Sequence, residues 1–220
     1  MFNDRYGLTD AVIEGRNIMT RRLIDPMPKD CASVHKNCWG ADWSDEPMSL
    51  VVDRDTGGIY CKYCGNGVRL HDGGYHYKTK YKVGEVVAVA QSYKRIGLNP
   101  KHYIWLPDLD AFQLLSTVKG WRNKMYVRAG LMPHQIRITG IRCERLQDIS
   151  DEDCFREGIS ESWYESTDTT TYGYADEKKG TAVEFDTPRK AFAALIDKVS
   201  GRGTWASNPW VVVYEFELVK

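Results

Sequence analysis

Residues 15–22 read Gly15-Arg16-Asn17-Ile18-Met19-Thr20-Arg21-Arg22, and this corner decides how the chain is read. Upstream, residues 8–15 (LTDAVIEG) place Leu8, Val12 and Ile13 on one helical face, with Gly15 as the natural C-terminal stop. Downstream, Thr20 to Ile24 turns from polar to apolar and halts before Asp25-Pro26, the pattern of a strand entering a core. The corner joins a helix end to a strand and gathers Arg16, Arg21 and Arg22 beside the Thr20 hydroxyl. Guanidinium forks match phosphate or carboxylate oxygens, and the hydroxyl can add a contact or act as a weak nucleophile if a base is near. The plainer reading is an exposed basic turn with no ligand.

Working outward, Gly84 to Ser92 is β-branched and apolar enough for a central strand. Ile136 to Leu146 reads as another, with a phase slip at Gly140-Ile141 that suggests a bulge. Ser150 caps a short helix with three acids in its first turn, ending at Gly158. Thr187-Pro188 opens an amphipathic helix through Ala191, Phe192, Leu195, Ile196 and Val199, stopped by Gly201. Trp210 to Val219 alternates Trp210, Val212, Tyr214, Phe216 and Leu218 against Val211, Val213, Glu215 and Glu217, a strand pattern. Residues 159–186 show no period and are expected to form a surface loop.

The expectation is therefore one α+β domain over 1–220: a small β-sheet or barrel, a few flanking helices, and a Cys-rich insertion at 26–82. Within the insertion, Leu50–Asp53 and Ile59–Lys62 flank the turn Asp55-Thr56-Gly57-Gly58 as a hairpin. Thirty basic side chains balance thirty acidic ones, but unevenly. Residues 1–145 carry 22 Lys and Arg against 15 Asp and Glu, and residues 146–220 carry 8 against 15. Such a dipole fits a basic face for phosphates, or two halves that pair with each other. No run of 18 apolar residues and no export pattern occurs, so a cytoplasmic protein with no membrane partner is expected, its six cysteines reduced or metal-bound rather than paired.

The corner resembles the signature of the ASCH domain, a PUA-like β-barrel family whose motif is G-x-K-x-x-T-x-R. Gly15, Thr20 and Arg22 match, and Asn17 stands where the family has Lys. The stretches EGRNIMTRRLIDP, YKVGEVVAVAQSY, MPHQIRITGIRCERLQDISDEDCFREGI and GTWASNPWVVVYEFELVK are also similar to longer bacterial and phage-borne members. The resemblance implies a cleft over the barrel that receives RNA or a modified nucleoside. It nominates Asn17, Thr20, Arg21, Arg22, Gln91, Tyr93 and Trp205 as ligand contacts, though alternating aromatics on a C-terminal strand are more often core, which is the reading for Tyr214. In one amidohydrolase branch a Lys, a Thr and a Glu cleave the acyl group from N4-acetylcytidine. By position the Thr is Thr20 and the Glu is Glu157, but the Lys falls on Asn17, which cannot act as a base. Where longer members read V-R-E-T-W, this chain has Val89-Ala90-Gln91-Ser92-Tyr93, an amide for an acid. Both departures favour binding over hydrolysis. A third reading is a phage or prophage interaction or assembly module that uses the insertion as its contact surface.

The insertion offers a structural zinc. Cys61-Lys62-Tyr63-Cys64-Gly65-Asn66-Gly67 is a C-x-x-C-G-x-G knuckle, and His35-Lys36-Asn37-Cys38 gives a second pair at the same spacing. His35, Cys38, Cys61 and Cys64 would close a tetrahedral site; Cys31, His71 or His76 are alternatives for one position. No organic cofactor is expected.

Overall fold

The structure is a computed structural model and describes residues 2–24, 49–62 and 78–219. In chain order its elements are α1 (Leu8–Ile13), β1 (Met19–Leu23), β2 (Leu50–Val52), β3 (Ile59–Cys61), β4 (Val86–Ala88), β5 (Tyr103–Leu106), β6 (Ala111–Leu114) and β7 (Gln135–Arg145). There follow α2 (Asp151–Arg156), β8 (Ser160–Tyr164), β9 (Thr169–Asp176), β10 (Thr181–Phe185), α3 (Pro188–Ser200), α4 (Thr204–Ser207) and β11 (Trp210–Leu218), with short 3-10 turns between several of them.

The fold is mixed α and β, centred on an antiparallel sheet ordered β1-β11-β7-β4 that curls into a half-barrel. Strand β11 is central because both of its faces are apolar along its first half, and Trp210 to Tyr214 are all buried. One face, Val211 and Val213, packs against Phe192, Leu195 and Ile196 of α3 with Met19 and Tyr174. The other, Trp210, Val212, Tyr214 and Phe216, packs against Val89, Ile136 and Ile138 on the concave side. A third cluster of Tyr93, Ile104, Leu115 and Met132 lies under the β5–β6 hairpin.

Strand β7 must serve the concave core along its whole length, and its sequence does not alternate evenly. Ile136, Ile138, Ile141 and Cys143 all pack on that core, although the step from 138 to 141 is odd. The pairing resolves this: Glu215 faces Gly140 while Phe216 faces Ile138, which leaves Thr139 as the bulged residue. The phase slip expected at Gly140-Ile141 is real and falls one residue earlier.

The caps follow the sequence. Ser150 accepts from the Asp153 N–H and Thr187 from the Lys190 N–H. Gly158 takes φ +97, and a Cβ there would lie 2.9 Å from Leu8, so the turn out of α2 requires glycine. The β2–β3 hairpin forms in the expected register, Leu50 opposite Cys61.

Two expectations change. The stretch read as a central strand from Gly84 is paired only at Val86–Ala88 and lies at the sheet edge, because its apolar residues fill the concave core rather than a ladder. Residues 159–186, read as a loop, form the three-stranded sheet β10-β9-β8. All five residues of β8 are exposed, so no alternation marks it, and only Trp163 and Tyr164 carry a β preference. Among the described residues no helix is long and apolar enough to cross a membrane.

Two cysteines report on the two cores. Burial pushes both the Cys143 and the Cys154 thiol up to about 12. Iodoacetamide at pH 8 should leave both unmodified in the native protein and alkylate both in urea, as read by peptide mass spectrometry.

Candidate functional site

Strand β1 sits at the sheet edge, and alternation sends its side chains to opposite faces. Met19, Arg21 and Leu23 face α3; Thr20 and Arg22 face the concave side. The three guanidinium groups of the corner therefore part company. Arg16 is exposed and pairs with Glu14. Arg21 has no exposed side-chain surface and binds Glu144 of β7 at 2.5 Å, Asp153 of α2 at 2.8 Å, and Glu157. Burial alone would lower the Arg21 pKa, but Glu157 and Glu144 reverse that and raise it, so the guanidinium stays charged. Arg142 extends the network to Glu144, Asp153 and Glu215.

The same network seals the β1 edge. Thr20 and Arg22 lie opposite Tyr214 and Val212 of β11, so the N–H groups of Met19 and Arg21 point away from the sheet. The Met19 N–H donates to Asn17 Oδ1 at 3.3 Å and the Arg21 N–H to Glu157 Oε2 at 3.2 Å. Asn17, nominated as a ligand contact, and Glu157, nominated as catalytic, thus complete the hydrogen bonding of the outer edge of β1. Burial raises the Glu157 pKa above the ordinary carboxylate range, with Arg21 pulling the other way.

Thr20 and Arg22 line a concave cleft of about 130 Å³ with Lys80, Tyr81, Val87–Ala90, Ile136, Ile138, Tyr214, Phe216 and Phe2. The walls are aromatic and aliphatic: Tyr81 packs edge-on against Tyr214 with centroids 5.5 Å apart, and the Lys80 N–H donates to the Tyr214 hydroxyl. The Arg22 guanidinium lies 6.0 Å over the Phe2 ring. A smaller cavity of about 40 Å³ wraps the β1 edge, where Asn17, Thr20, Arg21, Arg22 and Glu157 meet Leu195 and Ile196 of α3. Residues 17–22 and Glu157, far apart in sequence, thus converge.

The other nominated contacts lie elsewhere. Tyr93 is buried in the third core cluster, where its hydroxyl accepts from the Arg128 N–H. Gln91 is buried behind the cleft wall, its N–H donating to the Met132 sulfur at 3.3 Å and its Oε1 without a partner among the described residues. Trp205 packs edge-on against Phe192 on the far side of β11 and lines neither cavity. Conversely, Lys80, Tyr81, Phe216 and Phe2 escaped the sequence reading; only the alternation of basic and aromatic residues at 75–82 (YHYKTKYK) hinted at the first two. Of the proposed zinc ligands, Cys61 is buried at the end of β3; His35, Cys38, Cys64, Cys31, His71 and His76 lie outside the described residues. No family model, curated protein or solved structure matches the chain.

Removing Arg21 strands three carboxylates. Arg21→Met should cost about 3–5 kcal/mol in urea unfolding, while Glu157→Gln, which keeps an acceptor for the Arg21 N–H, should cost less. Equal and negligible losses would refute the clamp.

Proposed function

We propose that the protein binds RNA or a modified nucleoside in the concave cleft of a PUA-like, ASCH-type half-barrel. The observation that carries this reading is the placement of Thr20 and Arg22 on one face of β1, beside the partly exposed rings of Phe2 and Tyr81. Aromatic rings offer stacking surfaces that any base can use, and a guanidinium fork offers charged hydrogen bonds to phosphate or to a base edge. The cleft supplies both within one small volume.

Binding fits the geometry better than hydrolysis of an N4-acylated cytidine. Both oxygens of Glu157 accept from Arg21, so the carboxylate is occupied by an internal partner. Asn17 holds the place of the expected lysine and its Oδ1 serves Met19. Acid–base catalysis needs a titratable group within reach of the substrate, and neither residue supplies one.

In this reading Arg22→Ala weakens binding of single-stranded RNA and lowers the slope of log affinity against log salt by about one. Thr20→Val weakens it less and leaves the slope unchanged. Fluorescence titrations at several salt concentrations measure both, and an Arg22→Ala variant with wild-type affinity would remove the cleft from consideration. N4-acetylcytidine should be bound without turnover; deacetylation seen by chromatography would restore the enzymatic reading.

The zinc expected in the insertion belongs to the same proposal as a structural staple, held by Cys61 and Cys64 with His35 and Cys38. Elemental analysis should find one zinc per chain, and chelation should lower thermal stability. A metal-free preparation of normal stability would contradict it.

A further inference from the structure

Residues 94–131 belong to none of the features that define the cleft, and they carry an unusual surface. The β5–β6 hairpin pairs Tyr103 with Leu114 and Trp105 with Phe112, so Tyr103, Trp105 and Phe112 share one face. The opposite face is spoken for, since Ile104 is buried in the third cluster and Leu106 packs against it. The outer face is not: Tyr103 is 68% exposed, Phe112 67% and Trp105 38%. Trp105 and Phe112 lie against each other with centroids 5.0 Å apart, forming a ready aromatic surface. Scattered exposed apolar residues are ordinary, whereas three aromatic rings gathered on one hairpin face mark an interaction surface.

The charge around these rings says what covers them. Residues 94–131 hold seven Lys and Arg against two Asp, Asp108 and Asp110, both exposed in the turn that joins β5 to β6. Arg95 is tied to Asp10 and Lys124 to Asp4. Of the others, the Arg128 guanidinium donates to the Trp105 carbonyl oxygen, which sets a cation beside the aromatic pair. The Lys119 ammonium lies 5.3 Å over the ring of Tyr126, itself 56% exposed. An exposed aromatic pair with the Arg128 guanidinium beside it suits a polyanion with flat faces of its own.

An open depression of about 700 Å³, lined by Phe2, Asp4, Arg22, Arg122, Lys124 and Met125, adjoins the cleft through Arg22 and does not reach the hairpin rings. We propose that the outer face of the β5–β6 hairpin is a stacking platform for single-stranded nucleic acid. The platform does not rest on the cleft binding proposed above.

The test uses the full chain, titrated separately with fluorescein-labelled decacytidylate RNA and with cytidine 5′-monophosphate. The double variant Tyr103→Ala/Phe112→Ala should weaken decamer binding by at least about 10-fold and leave monophosphate binding unchanged. Both side chains are more than half exposed, so the fold should survive, and an unchanged urea midpoint verifies that. Arg22→Ala should weaken both ligands. Wild-type decamer affinity in the double variant would overturn the platform. Loss of decamer binding in the double variant, with no monophosphate binding by the wild type, would keep the platform and remove the cleft reading. Concentration-dependent dimerisation abolished by the double variant, with no decamer binding, would assign the face to a second copy and overturn the proposal.

Discussion

The buried guanidinium of Arg21 holds the architecture together. It joins β1 to β7 through Glu144 and to α2 through Asp153 and Glu157, with no part of its side chain exposed to water. An isolated charge in that position would be prohibitive, so the three carboxylates and the cation are each other's condition for burial. The arrangement also fixes the phase of β1. With Arg21 turned toward α2, alternation leaves Thr20 and Arg22 no choice but the concave face. Adjacent arginines of the same chemistry therefore end in opposite roles, one structural and one lining a cleft. A lysine at Arg21 could not reproduce the fork that reaches three acids from three directions.

The edge of β1 shows residues of catalytic type serving the backbone. Its outward N–H groups would otherwise invite pairing with another chain. Asn17 and Glu157 satisfy two of them from the helix ends on either side, which explains why an amide serves at 17 and why Glu157 is held so rigidly. What the half-barrel leaves partly open is a cleft where Thr20, Arg22 and Lys80 meet the rings of Phe2 and Tyr81, with Tyr214 and Phe216 buried behind them. The proposed binding reading rests on that combination of flat rings and charged hydrogen-bond donors.

Much of the fold was legible where local signals agree with the tertiary outcome. The caps at Ser150 and Thr187, the glycine after α2, the β2–β3 hairpin and the broken phase of β7 all follow from side-chain chemistry along the chain. The 159–186 sheet was not legible, because β8 buries nothing and so lacks a period. The paired extent of β4 was overestimated, since an apolar run can fill a core without joining a ladder. At the site, the residues of the 15–22 corner and Glu157 do come together. Burial could not be read from residue type: Arg21 looked like a ligand and proved internal, while Tyr93 and Trp205 belong to cores that only packing defines. Phe2 entered the cleft through long-range contacts with no local signature, while Tyr81 and Phe216 carried only a basic–aromatic or strand alternation that did not mark them as cleft residues.

We propose that a nucleobase is held in the concave cleft of the half-barrel. Photocrosslinking with a short RNA carrying 4-thiouridine, followed by mass spectrometry of the crosslinked peptides, tests it most directly because zero-length crosslinks report contact rather than affinity. Adducts on the peptides that contain Phe2 and Tyr81 are the expected result. Adducts confined to the β8–β10 sheet, or none at saturating RNA, would contradict it.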